Sequence, residues 1–152
     1  MGRGLKQFFF KVSLKGYHSF LTKNRIMIYG IGVDLVKEAR LSAAIRRYGE
    51  RFLNRVFTPQ EIAYCRGKRW SDSGFALRFA AKEAFSKALG VGLRQGGIRW
   101  REVEVVPDSR GRPELRVSGR AAQLCREAGV TGMHLSLSDE DGQGLAVVIL
   151  ER

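Results

Sequence analysis

Three charged residues lie in parts of the sequence that are otherwise apolar. Asp34 directly follows the run IMIYGIGV, and Glu83 lies within RFAAKEAFSKALG, residues 78 to 90. Burying an unpaired charge is costly, so acids in such surroundings need a partner. Two carboxylates, together with water and substrate phosphates, are the usual ligands of Mg²⁺, which makes Asp34 and Glu83 candidate metal ligands. Lys87, one turn after Glu83, adds a cation on the same side of the predicted helix.

Each of these residues also has an ordinary structural interpretation. A Glu83–Lys87 pair, four residues apart on an exposed helix, stabilises that helix by only about 0.2–0.5 kcal/mol. Asp34 is equally well suited to cap the helix that follows its strand. The residue types therefore define a candidate site, and the elements that carry them decide whether it is assembled.

The elements before this helix follow from hydrophobic periodicity. Residues 26 to 33 are apolar and β-branched, which predicts a central strand whose glycines allow close approach of another backbone. Residues 38 to 48 repeat apolar side chains at helical spacing. The sequence TPQE, residues 58 to 61, predicts a capping box and a short helix that ends near Gly67.

The second half of the chain is predicted to mix helices and strands. The helix with Glu83 is expected from about Phe75 to Leu89, with caps in the preceding SDSG and an end at Gly90. This mixed order predicts the α+β class rather than wound βαβ units. The remaining predicted elements are strands at 102–106 and 114–118, a helix at 119–128, and a terminal hairpin of MHLSLS and LAVVILE across DEDGQG.

Positive charge is concentrated near the N-terminus. The chain has 152 residues and a formal net charge of +12. Residues 1–26 hold six Lys or Arg and no acid, whereas the remaining residues hold 21 basic and 15 acidic side chains. We therefore expect 1–26 to be a basic extension outside the fold, and 27–152 to form one domain. A moderately basic domain suits phosphate groups or an acidic protein surface as well as a polynucleotide.

Cysteine usage, hydropathy and motifs exclude several classes of protein. Cys65 and Cys125 lack CxxC spacing, which favours buried thiols in a reducing cytosol over a zinc site or a disulfide framework. No apolar run approaches the roughly 18 residues that span a bilayer, so we expect a soluble, cytoplasmic protein without a membrane partner. The chain has no GxSxG, HExxH or Walker motif.

His134 and Ser136 share one face of the strand MHLSLSD, which alone is typical of a solvated strand face.

Five segments in a fixed order point to a known family. GIGVD, RF followed by TPxE, RFAAKEAFSKALG, a GxP turn and HLSLS follow one another along the chain. In this order they resemble holo-acyl-carrier-protein synthases, the small trimeric type of 4′-phosphopantetheinyl transferase, over residues 27–152. The resemblance implies the fold of those transferases, in which an antiparallel or mixed sheet is packed with helices and the chains assemble as a trimer. It is most specific in RFAAKEAFSKALG.

The resemblance also implies a reaction. Family members move the phosphopantetheine arm of coenzyme A to a serine of an apo acyl carrier protein and release adenosine 3′,5′-bisphosphate, with Mg²⁺ as cofactor. Asp34 and Glu83 match the magnesium ligands, and Lys87 would lie near the leaving phosphate. Either Glu83 or a metal-bound water would take the serine proton, and the sequence does not choose between them.

This resemblance also implies the partners and the residues that contact them. The expected partners are coenzyme A and apo acyl carrier protein, and binding of nucleic acid is not expected. Part of the coenzyme site would come from a neighbouring subunit of a homotrimer. The expected coenzyme contacts are Arg78, Lys82, Gly111, Arg112, Pro113, His134 and Ser136, and the expected carrier contacts are Arg40, Arg47 and Arg51.

Two departures from the family pattern keep alternative functions open. Val91 stands where many members have threonine, and Asp139 stands where many have histidine after SLS. Loss of the hydroxyl would weaken a phosphate contact, and we assign no role to Asp139. One alternative is a family member that binds coenzyme A without turnover. Another is a basic nucleic-acid-binding protein that uses Arg40, Arg46, Arg47, Arg51 and the N-terminal segment.

Overall fold

The computed structural model describes residues 26–93 and 95–152. The predicted extension, 1–26, lies outside this part of the chain except for its last residue, so the predicted domain boundary stays a prediction. The predicted α+β class is confirmed. The elements, in chain order, are β1 (Ile28–Lys37), α1 (Glu38–Val56), α2 (Pro59–Arg66), α3 (Ser71–Leu89), a 3₁₀ turn (Trp100–Glu102), β2 (Val103–Pro107), β3 (Pro113–Val117), α4 (Gly119–Glu127), β4 (Gly132–Glu140) and β5 (Gln143–Glu151).

The main sheet has three antiparallel strands in the order β1-β5-β4. The prediction of a central strand at the start of the domain is therefore wrong, because β5 is central and β1 lies at an edge. The reason is that β1 is apolar on both faces, as a central strand would be, although only one face is covered within the chain. Ile31, Val33 and Leu35 on its other face are about half exposed or more. The terminal hairpin of β4 and β5 is as predicted.

Helix α3 lies directly against β1, and two glycines permit this contact. A Cβ atom built on Gly32 would lie 1.8 Å from the carbonyl oxygen of Ala84, and one on Gly30 would lie 2.0 Å from that of Ala88. No residue with a side chain fits there, so the expected close backbone approach is confirmed. The approach sets the side chain of Asp34, on the same strand face as Gly32, beside the last turns of α3.

The start of α3 differs from its prediction. The helix begins at Ser71, so SDSG forms its first turn instead of capping it, and the N-cap residue makes no side-chain cap bond. The polar side chains of that turn bond to other elements. Asp72 accepts a hydrogen bond from Ser42 Oγ at 2.6 Å, and Ser73 Oγ donates to Asp139 at 2.6 Å. The predicted end is confirmed, because Gly90 has the left-handed conformation with φ 77°.

Helix α1 continues past its predicted end after a kink. Gly49, with φ 53° and ψ −138°, interrupts the helical dihedrals directly after the predicted segment 38–48. The second part of α1 then directs Leu53 and Val56 into an apolar cluster among α1, α2 and α3. The predicted capping box of α2, between Thr58 and Glu61, is present.

A second apolar cluster fills the space between α3 and the main sheet and extends to the β2–β3 hairpin and α4. Helix α3 is thus part of both clusters. Cys65 and Cys125 are free and buried, as expected, and burial raises the pKa of the Cys65 thiol to about 11. Across residues 26–93 and 95–152, no helix is both long and apolar enough to cross a membrane.

Candidate active site

Asp34, Glu83 and Lys87 meet at the edge between β1 and α3. The Lys87 ammonium lies 2.7 Å from Asp34 Oδ1 and donates a second hydrogen bond to the carbonyl oxygen of Val33 at 3.0 Å. Asp34 and Glu83 line a common cavity of about 560 Å³, called here the active-site cavity. The geometry therefore brings together the two acids that the sequence separates and adds a cation beside one of them.

Apolar and basic side chains line the active-site cavity together with the two acids. Leu41, Phe52 and Phe79 form the apolar part, while Lys37 and Arg40 lie at the same cavity. Hard oxygen ligands next to basic side chains suit a divalent cation that binds an anionic substrate. Within the described ranges no three His, Cys, Asp or Glu side chains group together as metal ligands. The donor set fits a two-carboxylate Mg²⁺ site whose other ligands are water and phosphate.

Lys82 does not lie where the resemblance implies. Its side chain has no exposed surface, and its ammonium donates to Glu61 Oε2 at 2.8 Å, to the carbonyl oxygen of Trp100 at 3.1 Å and to that of Val103. Burial lowers the pKa of Lys82, and the charge of Glu61 opposes that shift. The expectation that Lys82 contacts coenzyme is corrected, because its ammonium is enclosed by protein acceptors.

Glu61 explains why this lysine is buried. One carboxylate oxygen accepts from the backbone N–H of Val105 at 3.0 Å, and the other accepts from Thr58 N–H at 2.9 Å and from Lys82. The acid therefore closes the capping box of α2 and also binds β2 and α3. A buried pair with this many hydrogen bonds connects three elements of the fold.

A second cavity gathers three of the expected coenzyme contacts. Arg78, Gly111 and Pro113 line a cavity of about 460 Å³ between α3 and the β2–β3 turn, called here the basic aromatic cavity. The Arg78 guanidinium lies 4.1 Å from the centre of the Tyr64 ring, and its Nη1 nitrogen donates to the carbonyl oxygen of Gly74 at 3.3 Å. Its Nε is buried and has no hydrogen-bond partner among the described residues.

Sequence reasoning missed three residues of this cavity. Lys68, Arg69 and Trp70 line it together with Arg78, and Trp70 is 72% exposed. The available signal was the run GKRW directly before α3, because adjacent basic and aromatic side chains suit a phosphate and a base. The cavity also contains Asp139, which accepts the hydrogen bond from the first turn of α3.

The other expected coenzyme contacts lie elsewhere in the chain. Arg112 is exposed and donates a hydrogen bond from Nε to Asp108 at 2.8 Å. Hydrogen bonds from the backbone and the side chain of Arg112 lower the pKa of Asp108. His134 and Ser136 lie on the open face of β4, where His134 Nε2 is 3.0 Å from Glu151 Oε2. Within one chain, these three residues do not join the basic aromatic cavity.

The expected carrier contacts are exposed along α1. Arg40 lies at the active-site cavity, and Arg51, beyond the kink, lines the neighbouring one. Arg47 lies between them, with its guanidinium 5.2 Å from the centre of the Tyr48 ring. Val91, the first departure from the family pattern, packs against the cluster between α3 and the sheet.

Comparison with known proteins identifies the family. The model of the 4′-phosphopantetheinyl transferase superfamily matches residues 30–147. The chain belongs to this superfamily. The matched range contains both carboxylates of the active-site cavity and the whole of α3.

Named relatives of this superfamily member are holo-[acyl-carrier-protein] synthases. That of Geobacter sp. (strain M21) is 50% identical over 126 residues, which cover 83% of this chain and all of the relative. That of Koribacter versatilis is 46% identical over 125 residues, covering 82% of this chain and 99% of the relative.

Solved structures agree with this assignment. The holo-[acyl-carrier-protein] synthase of Neisseria meningitidis matches with a TM-score of 0.76 and 36% identity, covering 83% of this chain and all of that one. The Helicobacter pylori enzyme in complex with coenzyme A matches with a TM-score of 0.70 and 30% identity, covering 79% and 98%.

Proposed function

We propose that this protein transfers the 4′-phosphopantetheine arm of coenzyme A to a serine of an apo acyl carrier protein and releases adenosine 3′,5′-bisphosphate. The observation that carries the proposal is that Asp34 and Glu83 line one cavity, with Lys87 bonded to Asp34, in a member of this superfamily. The names of its relatives and the coenzyme A complex of the Helicobacter pylori enzyme support it. We place the reaction in the cytoplasm.

The roles of the three residues follow from their chemistry. Asp34 and Glu83 would hold Mg²⁺, which when bound supplies positive charge to the coenzyme diphosphate. Lys87 directs its ammonium towards the same cavity edge, where it stabilises negative charge on the departing phosphate oxygen. About half of the Lys87 side chain is exposed, so it can exchange its bond to Asp34 for one to an incoming phosphate.

The basic aromatic cavity is the proposed site of the nucleotide end of coenzyme A. Arg78, Lys68 and Arg69 supply positive charge for phosphate, while Tyr64 and Trp70 supply aromatic surface for the base.

We further propose that the protein is a homotrimer whose contacts cover the open face of the main sheet. Ile31, Val33 and Leu35 expose apolar surface on the edge strand β1, and the half-buried Val147 pairs with Val33 on the adjacent strand β5. Large exposed apolar patches and uncovered strand edges are typical of interfaces. His134 lies on this face, so assembly would present it to a neighbouring subunit's coenzyme site.

The transfer proposal is tested by mass spectrometry. The protein is incubated with coenzyme A, Mg²⁺ and several apo carrier proteins from fatty-acid and polyketide systems. One phosphopantetheine mass should be added to at least one carrier, and no gain on any carrier would reject transfer. Glu83→Gln should abolish the gain while leaving the circular dichroism spectrum unchanged. Calorimetric binding of coenzyme A alongside silent transfer would instead identify a binding protein without turnover.

The trimer is tested separately by light scattering. Ile31→Lys places a charge in the proposed interface and should lower the measured mass to that of one chain. Gln123→Lys, on the exposed side of α4, is the matched control and should leave the mass of three chains. Equal masses for both variants would exclude this face as the interface.

A further inference from the structure

One acid lines the basic aromatic cavity. Asp139, near the end of β4, lines it together with Lys68, Arg69 and Arg78. The three cations suit the phosphates of the proposed nucleotide site, whereas a carboxylate repels phosphate. Asp139 therefore opposes part of the ligand that the rest of the cavity attracts.

The carboxylate of Asp139 is held in place by the start of α3. Ser73 Oγ donates to Asp139 Oδ2 at 2.6 Å, and Ser73 is buried. The backbone is fixed at the same level, because Asp139 pairs with Gly144 of β5. A Cβ atom added to Gly144 would lie 3.1 Å from the backbone nitrogen of Leu77 in α3. The hairpin therefore packs closely on α3, and the hydrogen bond sets the direction of the carboxylate.

The cations around Asp139 do not neutralise its charge. Across residues 26–93 and 95–152, none of the ion pairs includes Asp139. Within the same ranges its side chain accepts a hydrogen bond from Ser73 alone. A serine hydroxyl brings no positive charge, so Asp139 keeps its negative charge and one carboxylate oxygen remains available to a ligand.

A carboxylate in a nucleotide site distinguishes a ribose hydroxyl from a ribose phosphate. It accepts a hydrogen bond from the hydroxyl, whereas it repels a phosphate, which carries a charge of about −1.5 to −2. Dinucleotide sites use the same difference, with an acid on the ribose hydroxyl and an arginine on the ribose phosphate. Coenzyme A carries a 3′-phosphate on its ribose, and dephospho-coenzyme A has a hydroxyl there. The acid in this cavity therefore favours the dephospho form.

We propose that Asp139 is a specificity-determining residue that reduces the preference for coenzyme A over dephospho-coenzyme A, so that the protein uses both as donors. This inference rests on the proposed transfer function and on the placement of the nucleotide in the basic aromatic cavity. The cations of that cavity still attract the phosphates of coenzyme A, and Asp139 removes part of the advantage that the 3′-phosphate would give.

The reaction with the second donor differs only in its leaving group. The carrier serine oxygen forms a bond to the phosphorus that carries the pantetheine arm, and the bond from that phosphorus to the bridging oxygen of the diphosphate breaks. The bridging oxygen keeps the bonding electrons, and the serine proton is transferred to the leaving phosphate. Adenosine 5′-monophosphate is then released in place of adenosine 3′,5′-bisphosphate.

The experiment compares two variants that each lose one negative charge. Asp139→Asn keeps an oxygen that can accept from Ser73, and Glu140→Gln changes the neighbouring exposed acid, which does not line the cavity. The mass-shift assay gives kcat/KM for each donor. In the parent the two donors should differ by less than roughly tenfold, and the ratio of coenzyme A to dephospho-coenzyme A should rise roughly three- to tenfold in Asp139→Asn.

The control and the salt dependence separate a charge effect from a structural one. The rise in Asp139→Asn should lie in the KM values and shrink at about 0.5 M salt, whereas Glu140→Gln should keep the parent ratio. A purely structural role predicts no change in Asp139→Asn, because the hydrogen bond from Ser73 is retained. An unchanged ratio in that variant, or an equal rise in both, would overturn the inference while transfer itself stands.

Binding without carrier protein makes the two proposals fail separately. Calorimetry with Mg²⁺ and each donor gives the two Kd values without turnover. The ratio of Kd values should change in Asp139→Asn alone, and this result would support the inference even if transfer were silent. If neither donor binds the parent protein, the basic aromatic cavity is not a nucleotide site and the role of Asp139 is wrong.

Discussion

Helix α3 carries two lysines that each bind a distant acid, and the two pairs lie in opposite surroundings. Lys82 and Glu61 have no exposed side-chain surface, and Lys82 also donates to two backbone carbonyls. Lys87, five residues later, has a side chain that is 52% exposed and binds Asp34, which lines the active-site cavity.

Five residues turn about 140° around a helix, so the two ammonium groups point to different neighbours. Lys82 faces α2 and β2, where its acceptors are a carboxylate and two backbone carbonyls and its side chain has no exposed surface. Lys87 faces solvent and the edge strand, where its acceptor can be replaced by a substrate oxygen. The same residue type on the same helix therefore stabilises the fold in one position and remains available for chemistry in the other.

The largest expected effect follows from breaking the buried pair. Lys82→Met removes the cation and leaves the Glu61 carboxylate buried without it, which should lower the free energy of unfolding by about 3–5 kcal/mol. Urea denaturation followed by circular dichroism, at fixed protein concentration, measures this loss. A loss under about 1 kcal/mol would mean that the buried pair does not hold the elements together.

The exposed pair should show the reverse pattern. Lys87→Met should change the free energy of unfolding by less than about 1 kcal/mol, because a pair in contact with solvent contributes little. Its transfer rate should fall roughly a hundredfold, because a donor to the leaving phosphate is lost. The mass-shift assay, run as a time course, gives the rate. A variant that is strongly destabilised yet fully active would reverse the assignment of the two lysines.

The coupling energy between the two members of each ion pair is a further difference between the buried pair and the exposed pair. In a double-mutant cycle of Lys82→Met and Glu61→Gln, the second change removes the buried charge that the first leaves unpaired. The double variant should therefore be more stable than the sum of the single losses predicts, by about 1–3 kcal/mol. A cycle of Lys87→Met and Asp34→Asn, measured by the same denaturation, should give a coupling near zero. Equal coupling in the two cycles would show that burial does not distinguish the pairs.

The sequence predicted the local features of the fold and of the candidate site. The capping box at Glu61, the close approach at Gly32 and the helix end at Gly90 each depend on neighbouring residues, and each is present. Asp34 and Glu83 were singled out because charge is unusual in apolar segments, and they line one cavity.

Features that depend on distant residues escaped sequence reasoning. The resemblance implied a coenzyme contact for Lys82, whereas burial of Lys82 is decided by Glu61, which lies 21 positions away. SDSG has a capping composition, but Ser73 bonds Asp139, 66 positions further along the chain. Trp70 and Gly111 line the basic aromatic cavity together although they lie far apart in the chain, and no local pattern encodes this.

The smallest expected effect is a pH dependence that comes from the buried pair. Burial lowers the pKa of Lys82 in the folded protein from the ordinary 10.5, so the unfolded chain binds this proton more tightly. The free energy of unfolding should therefore rise as the pH increases from the lowered pKa towards 10.5, and this contribution is lost at lower pH. The Cys65 thiol acts in the opposite direction between 9.0 and about 11, because its pKa is raised.

Subtracting the free energy of unfolding of the Lys82→Met variant from that of the parent at each pH isolates the contribution of Lys82. The contribution of Cys65 cancels, because both proteins contain it. The difference in the free energy of unfolding should grow as the pH rises towards 10.5. A flat curve for Lys82→Met would mean that the ammonium is solvated as well in the folded protein as in the unfolded chain. Its three protein acceptors would then replace water completely, and burial would not separate the two lysines of α3.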